Sequence, residues 1–126
     1  ATKVIEITVE QARTTREARE MAYAIANSNL VKTAFFGGDP NWGRIIAAAG
    51  AVGIPLPVDK VELYLDEAPL FRRGRKVTGK ETLRQEIMSR AEIRVLFRAG
   101  MGDKSCRVFA SDLGFEYIKI NAHYHT

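Results

Sequence analysis

The chain has 126 residues, of which 46% are hydrophobic and 27% charged, with a formal net charge of +4. Such a composition fits one soluble-type globular domain and excludes a disordered or fibrous chain, while the absence of any run of about 18 apolar residues excludes a membrane-spanning helix. The N-terminus opens in a strand pattern without a signal-peptide layout, so a cytoplasmic location without a membrane partner is expected.

Residues Lys3 to Glu10 alternate, with Ile5, Ile7 and Val9 on one side and Glu6, Thr8 and Glu10 on the other, as a half-buried strand requires. Thr14 and Glu17 have capping-box spacing, and Ala18, Met21, Ala22 and Ile25 follow at i, i+3, i+4 and i+7, which predicts a helix ended by Asn27-Ser28-Asn29. Leu30 to Phe36 reads as a short buried strand bounded by Gly37-Gly38. Asp39 is the expected N-cap of the next helix, with Pro40 at its first position and Trp42, Ile45, Ile46 and Ala49 as its apolar stripe. The start of that helix, with Asn41 and Arg44 nearby, could receive an anionic group. The favoured alternative is that Asp39 already caps those amides and that Trp42 is core.

Gly50 to Asp59, with Pro55 and Pro57, is a connecting loop, and Val61, Leu63 and Leu65 begin a strand. Arg72-Arg73-Gly74-Arg75-Lys76, flanked by Leu70, Phe71 and Val77, predicts a hairpin tip in water. These cations also permit a stand-alone anion or nucleic-acid binding module, but no aromatic stacking motif accompanies them, so no nucleic-acid partner is expected. Thr78 and Glu81 repeat the capping-box spacing ahead of a helix with Leu83, Ile87 and Ala91 on one side, and Ile93, Val95 and Phe97 alternate as a strand. Gly100 to Lys104 reads as a hairpin loop, since a G-x-G without a third glycine is a poor dinucleotide fingerprint. No cofactor is expected. The run from Arg107 to Asn121 is strand-rich, with a bend at Gly114, and should deliver Asn121 to a sheet edge. Strands and helices mix without regular alternation, which predicts a single α+β domain over residues 1–126, with helices packed on one face of a mixed, mainly antiparallel sheet.

Cys106, the chain's one cysteine, cannot form an internal disulfide, and its apolar setting suggests a small buried side chain. A Cys-His pair with His123 or His125 is the alternative, and an H-x-H with one cysteine lacks the paired spacing of a zinc site.

Two segments carry a family resemblance. Ser28-Asn29-Leu30-Val31-Lys32-Thr33-Ala34-Phe35-Phe36-Gly37-Gly38-Asp39-Pro40-Asn41-Trp42-Gly43-Arg44 and the ending Tyr117-Ile118-Lys119-Ile120-Asn121-Ala122-His123-Tyr124-His125-Thr126 resemble the ornithine acetyltransferase, or glutamate N-acetyltransferase, family. The resemblance runs from Ala1-Thr2-Lys3 to the last residue. It implies the C-terminal part of the β chain of an enzyme of arginine biosynthesis that cleaves itself before a threonine. That threonine then carries acetyl from N-acetylornithine to glutamate, releasing ornithine, and some members also accept acetyl-coenzyme A. No such threonine motif occurs here; Thr2, preceded by Ala1, lacks the lysine-glycine context and reads as a structural residue. The nucleophile is therefore expected outside this chain, which alone should be inactive. The expected partners are the α chain and the N-terminal part of the β chain, in an α2β2 assembly.

The family's substrate-binding asparagine and final threonine fall on Asn121 and Thr126. Asparagine offers one acceptor and two donors, which suits the zwitterionic end of an amino acid, and Thr126 adds a hydroxyl. The sequence departs from the family pattern at Ser111, where many members carry cysteine, and at His123 and His125.

Overall fold

The computed structural model describes residues 3–111 and, as backbone, 117–123. The alternation beginning at Lys3 forms β1, Val4–Ala12, with Ile7 and Val9 buried. Six further strands complete one sheet: β2 Glu62–Leu65, β3 Ala68–Arg72, β4 Arg75–Lys76, β5 Glu92–Arg98, β6 Lys104–Ser111 and β7 Tyr117–His123. Their spatial order is β4-β3-β2-β5-β1-β6-β7. Only β1 and β5 pair in parallel; every other described pairing is antiparallel. The α+β expectation and the mainly antiparallel sheet are borne out.

Register aligns apolar residues in rows across four strands. Leu63, Phe97, Val9 and Cys106 form one row, and Leu65, Val95, Ile7 and Val108 the next. All eight are buried, and α1, Thr15–Asn27, which buries Ala18, Met21, Ala22 and Ile25, packs against β1 and β6. Thr14 Oγ1 accepts from the Glu17 amide at 3.0 Å, which is half of the expected capping box. The other half is missing because the Glu17 carboxylate is taken by Arg13, at 2.6 Å.

The expected strand at Leu30 to Phe36 is a helix, α2, Asn29–Phe36. A seven-residue segment with five apolar residues does not distinguish strand from helix by period. Two terminal devices settle it. Ser28 caps α2 by accepting from the Val31 amide at 3.2 Å, and Val31, Ala34 and Phe35 bury at i, i+3 and i+4. At the other end Gly38, with φ of 78°, closes a Schellman motif: its amide donates to Phe35 O at 3.1 Å and that of Asp39 to Ala34 O at 2.8 Å.

Helix α3, Trp42–Gly50, is capped by Asn41 and not by Asp39, because the Schellman motif has already placed Asp39 in the preceding turn. Asn41 Oδ1 accepts from the Arg44 amide at 3.1 Å, so Pro40 lies outside the helix. Ile45 and Ala49 bury as expected.

Helix α4, Glu81–Met88, begins without a side-chain cap, three residues after Thr78. Gly79, with φ of 84°, turns the chain between Thr78 and the helix, which undoes the expected capping box. Ile87 buries, but Ala91 lies beyond the helix and is exposed.

The Gly100 to Lys104 loop is no hairpin either. β5 and β6 both pair with β1, which lies between them, so the loop crosses the end of β1. The Met101 and Gly102 amides donate to Gln11 O at 2.8 and 2.9 Å. A Cβ on Gly102 would stand 2.5 Å from Ala12 O, which explains why the crossing requires glycine. The basic run, by contrast, is the expected hairpin tip, with Arg73 and Gly74 at positive φ between β3 and β4.

Candidate functional site

The turn from Gly37 to Trp42, within the segment that carries the sequence resemblance, forms one wall of a cleft of about 520 Å³. Its shape follows from the two helix ends that it joins. The Schellman motif of α2 sets the direction of Asp39, whose carboxylate accepts from Asn41 Nδ2 at 3.2 Å. Arg44 reaches back from α3 to donate to Leu30 O at 2.9 Å, tying the first turn of α3 to the start of α2.

Trp42 is not core. It remains 36% exposed, and its ring stacks on Phe71 of β3 with centroids 5.1 Å apart and 24° between planes. Aromatic pairs of this kind add about 0.5–1.5 kcal/mol beyond area burial. The indole therefore forms a fixed wall of the cleft.

The facing wall comes from β4 and α4, some forty residues later in the chain. Lys76, Thr78, Gln85 and the Glu81–Arg84 pair, 3.4 Å apart, line it. Arg84 also donates to Val77 O at 3.5 Å. Neither Asp39 nor Lys76 has an ion-pair partner among the described residues. No sequence signal pointed to this second wall, because its residues meet the motif only through the β3–β4 hairpin.

At the other end of the sheet, β7 carries Asn121 in register with Arg107 of β6, at the end of a row through Thr8, Leu96 and Tyr64. Asn121 thus reaches an edge strand as expected. Five strand spacings separate β3 from β7, or about 24 Å across the sheet. Thr126, His125, Thr2 and Gly114 lie outside the described residues. Ser111 and His123 are placed in β6 and β7, with His123 opposite Ser105. Cys106 is fully buried, and burial pushes its thiol up from the ordinary value, so it has the character of a core side chain and not of a nucleophile.

The face of the sheet away from the helices carries a charge lattice that sequence reasoning missed. Arg94 pairs with Glu6 at 2.8 Å, and Arg98 bridges Glu10 at 3.3 Å and Glu62 at 3.2 Å. Burial pulls the Arg98 guanidinium down, but hydrogen bonds to Glu62 and Glu10 outweigh it and hold the group above its usual range. The signal was present in the alternation itself, since these are the polar positions of β1, β2 and β5. No helix of the described residues is long and apolar enough to cross a membrane.

The model of the ArgJ family matches residues 1–126. Arginine biosynthesis bifunctional protein ArgJ of Neisseria meningitidis serogroup A is 45% identical over 128 residues, covering 100% of this chain and 32% of the relative. The protein of the same name from Streptococcus mutans is 40% identical over 126 residues, with the same coverage. A crystal structure of arginine biosynthesis bifunctional protein ArgJ from Bacillus halodurans superposes with a TM-score of 0.80 at 26% identity, over 89% of this chain and 53% of that one. The chain thus spans about a third of the length of the curated relatives that it matches, at 32%.

Proposed function

The chain belongs to the ArgJ family, and from that premise we propose that it is the C-terminal portion of an acetyltransferase of arginine biosynthesis. The complete enzyme would move acetyl from N-acetylornithine to glutamate through an acetyl-threonine intermediate. Acetyl-coenzyme A would be a second donor to glutamate. The observation that carries the proposal is the family match over residues 1–126, together with names for the relatives that place them in arginine biosynthesis.

A threonine at a cleaved chain start can use its own α-amine to take the hydroxyl proton, so this chemistry needs no cofactor. That residue would come from outside the present chain. What these 126 residues would supply is substrate positioning. Asn121, held on an edge strand, would hydrogen-bond the amino-acid end of the substrate, and Thr126 would add its hydroxyl. The sheet would be completed functionally by the rest of the enzyme, an α chain and the N-terminal part of the β chain in an α2β2 assembly in the cytoplasm.

An assay of the 126-residue chain with N-acetyl-L-ornithine and L-glutamate tests the division of labour. No acetylglutamate should form above background. Turnover by this polypeptide alone would mean that the nucleophile lies within it and that the proposal has misplaced the active site.

A further inference from the structure

We propose that the exposed side of α2 is an interface, on which the remaining length of the ArgJ-family polypeptide packs through apolar side chains. This rests on the reading of the chain as one portion of a longer family polypeptide, and it is independent of acetyl transfer.

Four large apolar side chains are exposed among the described residues: Leu30, Phe36, Trp42 and Val58. Three of them fall on α2 and the first residue of α3, and the Arg44–Leu30 hydrogen bond holds the two helix starts together. Single exposed apolar residues are ordinary, whereas a group of them marks a contact surface. Leu30 is 62% and Phe36 52% exposed, although Val31, Ala34 and Phe35 already bury the opposite side of α2. Leu30, Thr33 and Phe36 follow at three-residue spacing and are all exposed, so they form one ridge along the helix. Ridges of this spacing pack into the groove of a neighbouring element.

Beside the ridge, Ile5, Ile25, Val31, Phe35, Phe36 and Ala110 line a slot of about 30 Å³. That is about a tenth of the smallest small-molecule sites, so the slot suits the end of one apolar side chain. α2 carries one cation, Lys32, and no carboxylate. Anionic membranes and nucleic acids recruit clusters of cations, which this surface does not offer.

Length identifies the occupant. The chain covers 32% of its ArgJ relatives and 53% of the crystallised Bacillus halodurans chain. Most of the family polypeptide therefore lies outside these residues and has to pack against them. The open face of the sheet is the other broad surface, but docking there would strip water from the Arg94–Glu6 and Arg98–Glu10 pairs. The α2 ridge carries no such cost.

Thr33 stands at the middle of the ridge, and Thr33→Cys changes side-chain volume little, so it serves as a labelling probe. Asp103→Cys is the reference, since the Asp103 side chain is 90% exposed. In the complete enzyme Thr33→Cys should react with a maleimide at least about 10-fold more slowly than Asp103→Cys, because the reagent has to wait for the interface to open. Site-resolved mass spectrometry reads both rates, and unfolding in urea should make them equal. Adding Leu30→Lys, which places a charge in the contact, should bring the Thr33→Cys rate back toward the reference. Equal rates in the folded enzyme would overturn the proposal. So would protection that vanishes on dilution, which would assign the ridge to a second copy, or protection that appears only with anionic vesicles. Acetyl transfer assayed on the same preparations separates the two readings: protection without activity would keep the interface and sink the acetyltransferase, and activity without protection would do the reverse.

Discussion

The two faces of the sheet are built from the same four central strands, yet they are held by different forces. On the covered face, Leu63, Phe97, Val9 and Cys106 form a dry row in which every side chain is fully buried. One residue along each strand, the open face carries Glu62, Arg98 and Glu10, with side chains 34–41% exposed. Removing apolar area from water contributes about 1.5–3 kcal/mol per large side chain. Exposed ion pairs contribute about 0–1 kcal/mol, because water and salt screen them. The contrast teaches that the fold is fixed by one face, leaving the other free to vary in charge without loss of the sheet.

Neighbouring substitutions test that contrast directly. Phe97→Ala on the covered face should cost about 3–5 kcal/mol, through lost transfer energy and the cavity left behind. Arg98→Ala, the next residue but on the open face, should cost no more than about 1 kcal/mol and less at high salt. Denaturant midpoints of both variants provide the comparison, and similar losses would break it.

A helix cap should fall between the two regimes. Asn41→Ala should cost about 1 kcal/mol, since it removes the acceptor of the Arg44 amide. Asp39→Ala should stay within about 0.5 kcal/mol, because Asp39 caps no helix amide. The reverse order in urea denaturation would restore Asp39 as the cap.

The smallest effect is expected from charges near the surface. Arg90 donates to Glu86 at 2.7 Å and to Glu67 at 3.1 Å, and these hydrogen bonds hold both carboxyls below the ordinary value of 4.5. A lowered folded-state value gives stability that is present above about pH 4.5 and is lost as pH falls through the lower folded values. Arg90→Gln should therefore lower stability slightly on the neutral side, leave it nearly unchanged in strong acid, and so flatten the acid side of the stability profile. A steeper acid loss in the variant would contradict this account.

What could be read from the sequence followed how locally each feature was encoded. β1 and β5 were legible because strict alternation has one solution, and α1 because four apolar residues fell on a single stripe. The Arg72–Lys76 tip was legible through its glycine. α2 was not: the five apolar residues of Leu30 to Phe36 fit either period, and Ser28 and Gly38, which decide for helix, read equally well as punctuation around a strand. The cleft was half legible. Its motif wall stood in the sequence, but Lys76 and Arg84 reach it only through tertiary pairing of β3 with β4. Asn121 came from family resemblance, and alternation alone would have placed it on an edge strand without a role.

The central claim is that Asn121 positions substrate for acetyl transfer in the complete enzyme. Asn121→Ala, assayed there with N-acetyl-L-ornithine and L-glutamate, tests it most directly. The account predicts a fall in kcat/KM of about 2-fold to 100-fold, the range expected for loss of one neutral or charged hydrogen bond, with self-cleavage of the precursor intact. Wild-type kinetics in the variant would contradict it and leave β7 as a sheet edge alone.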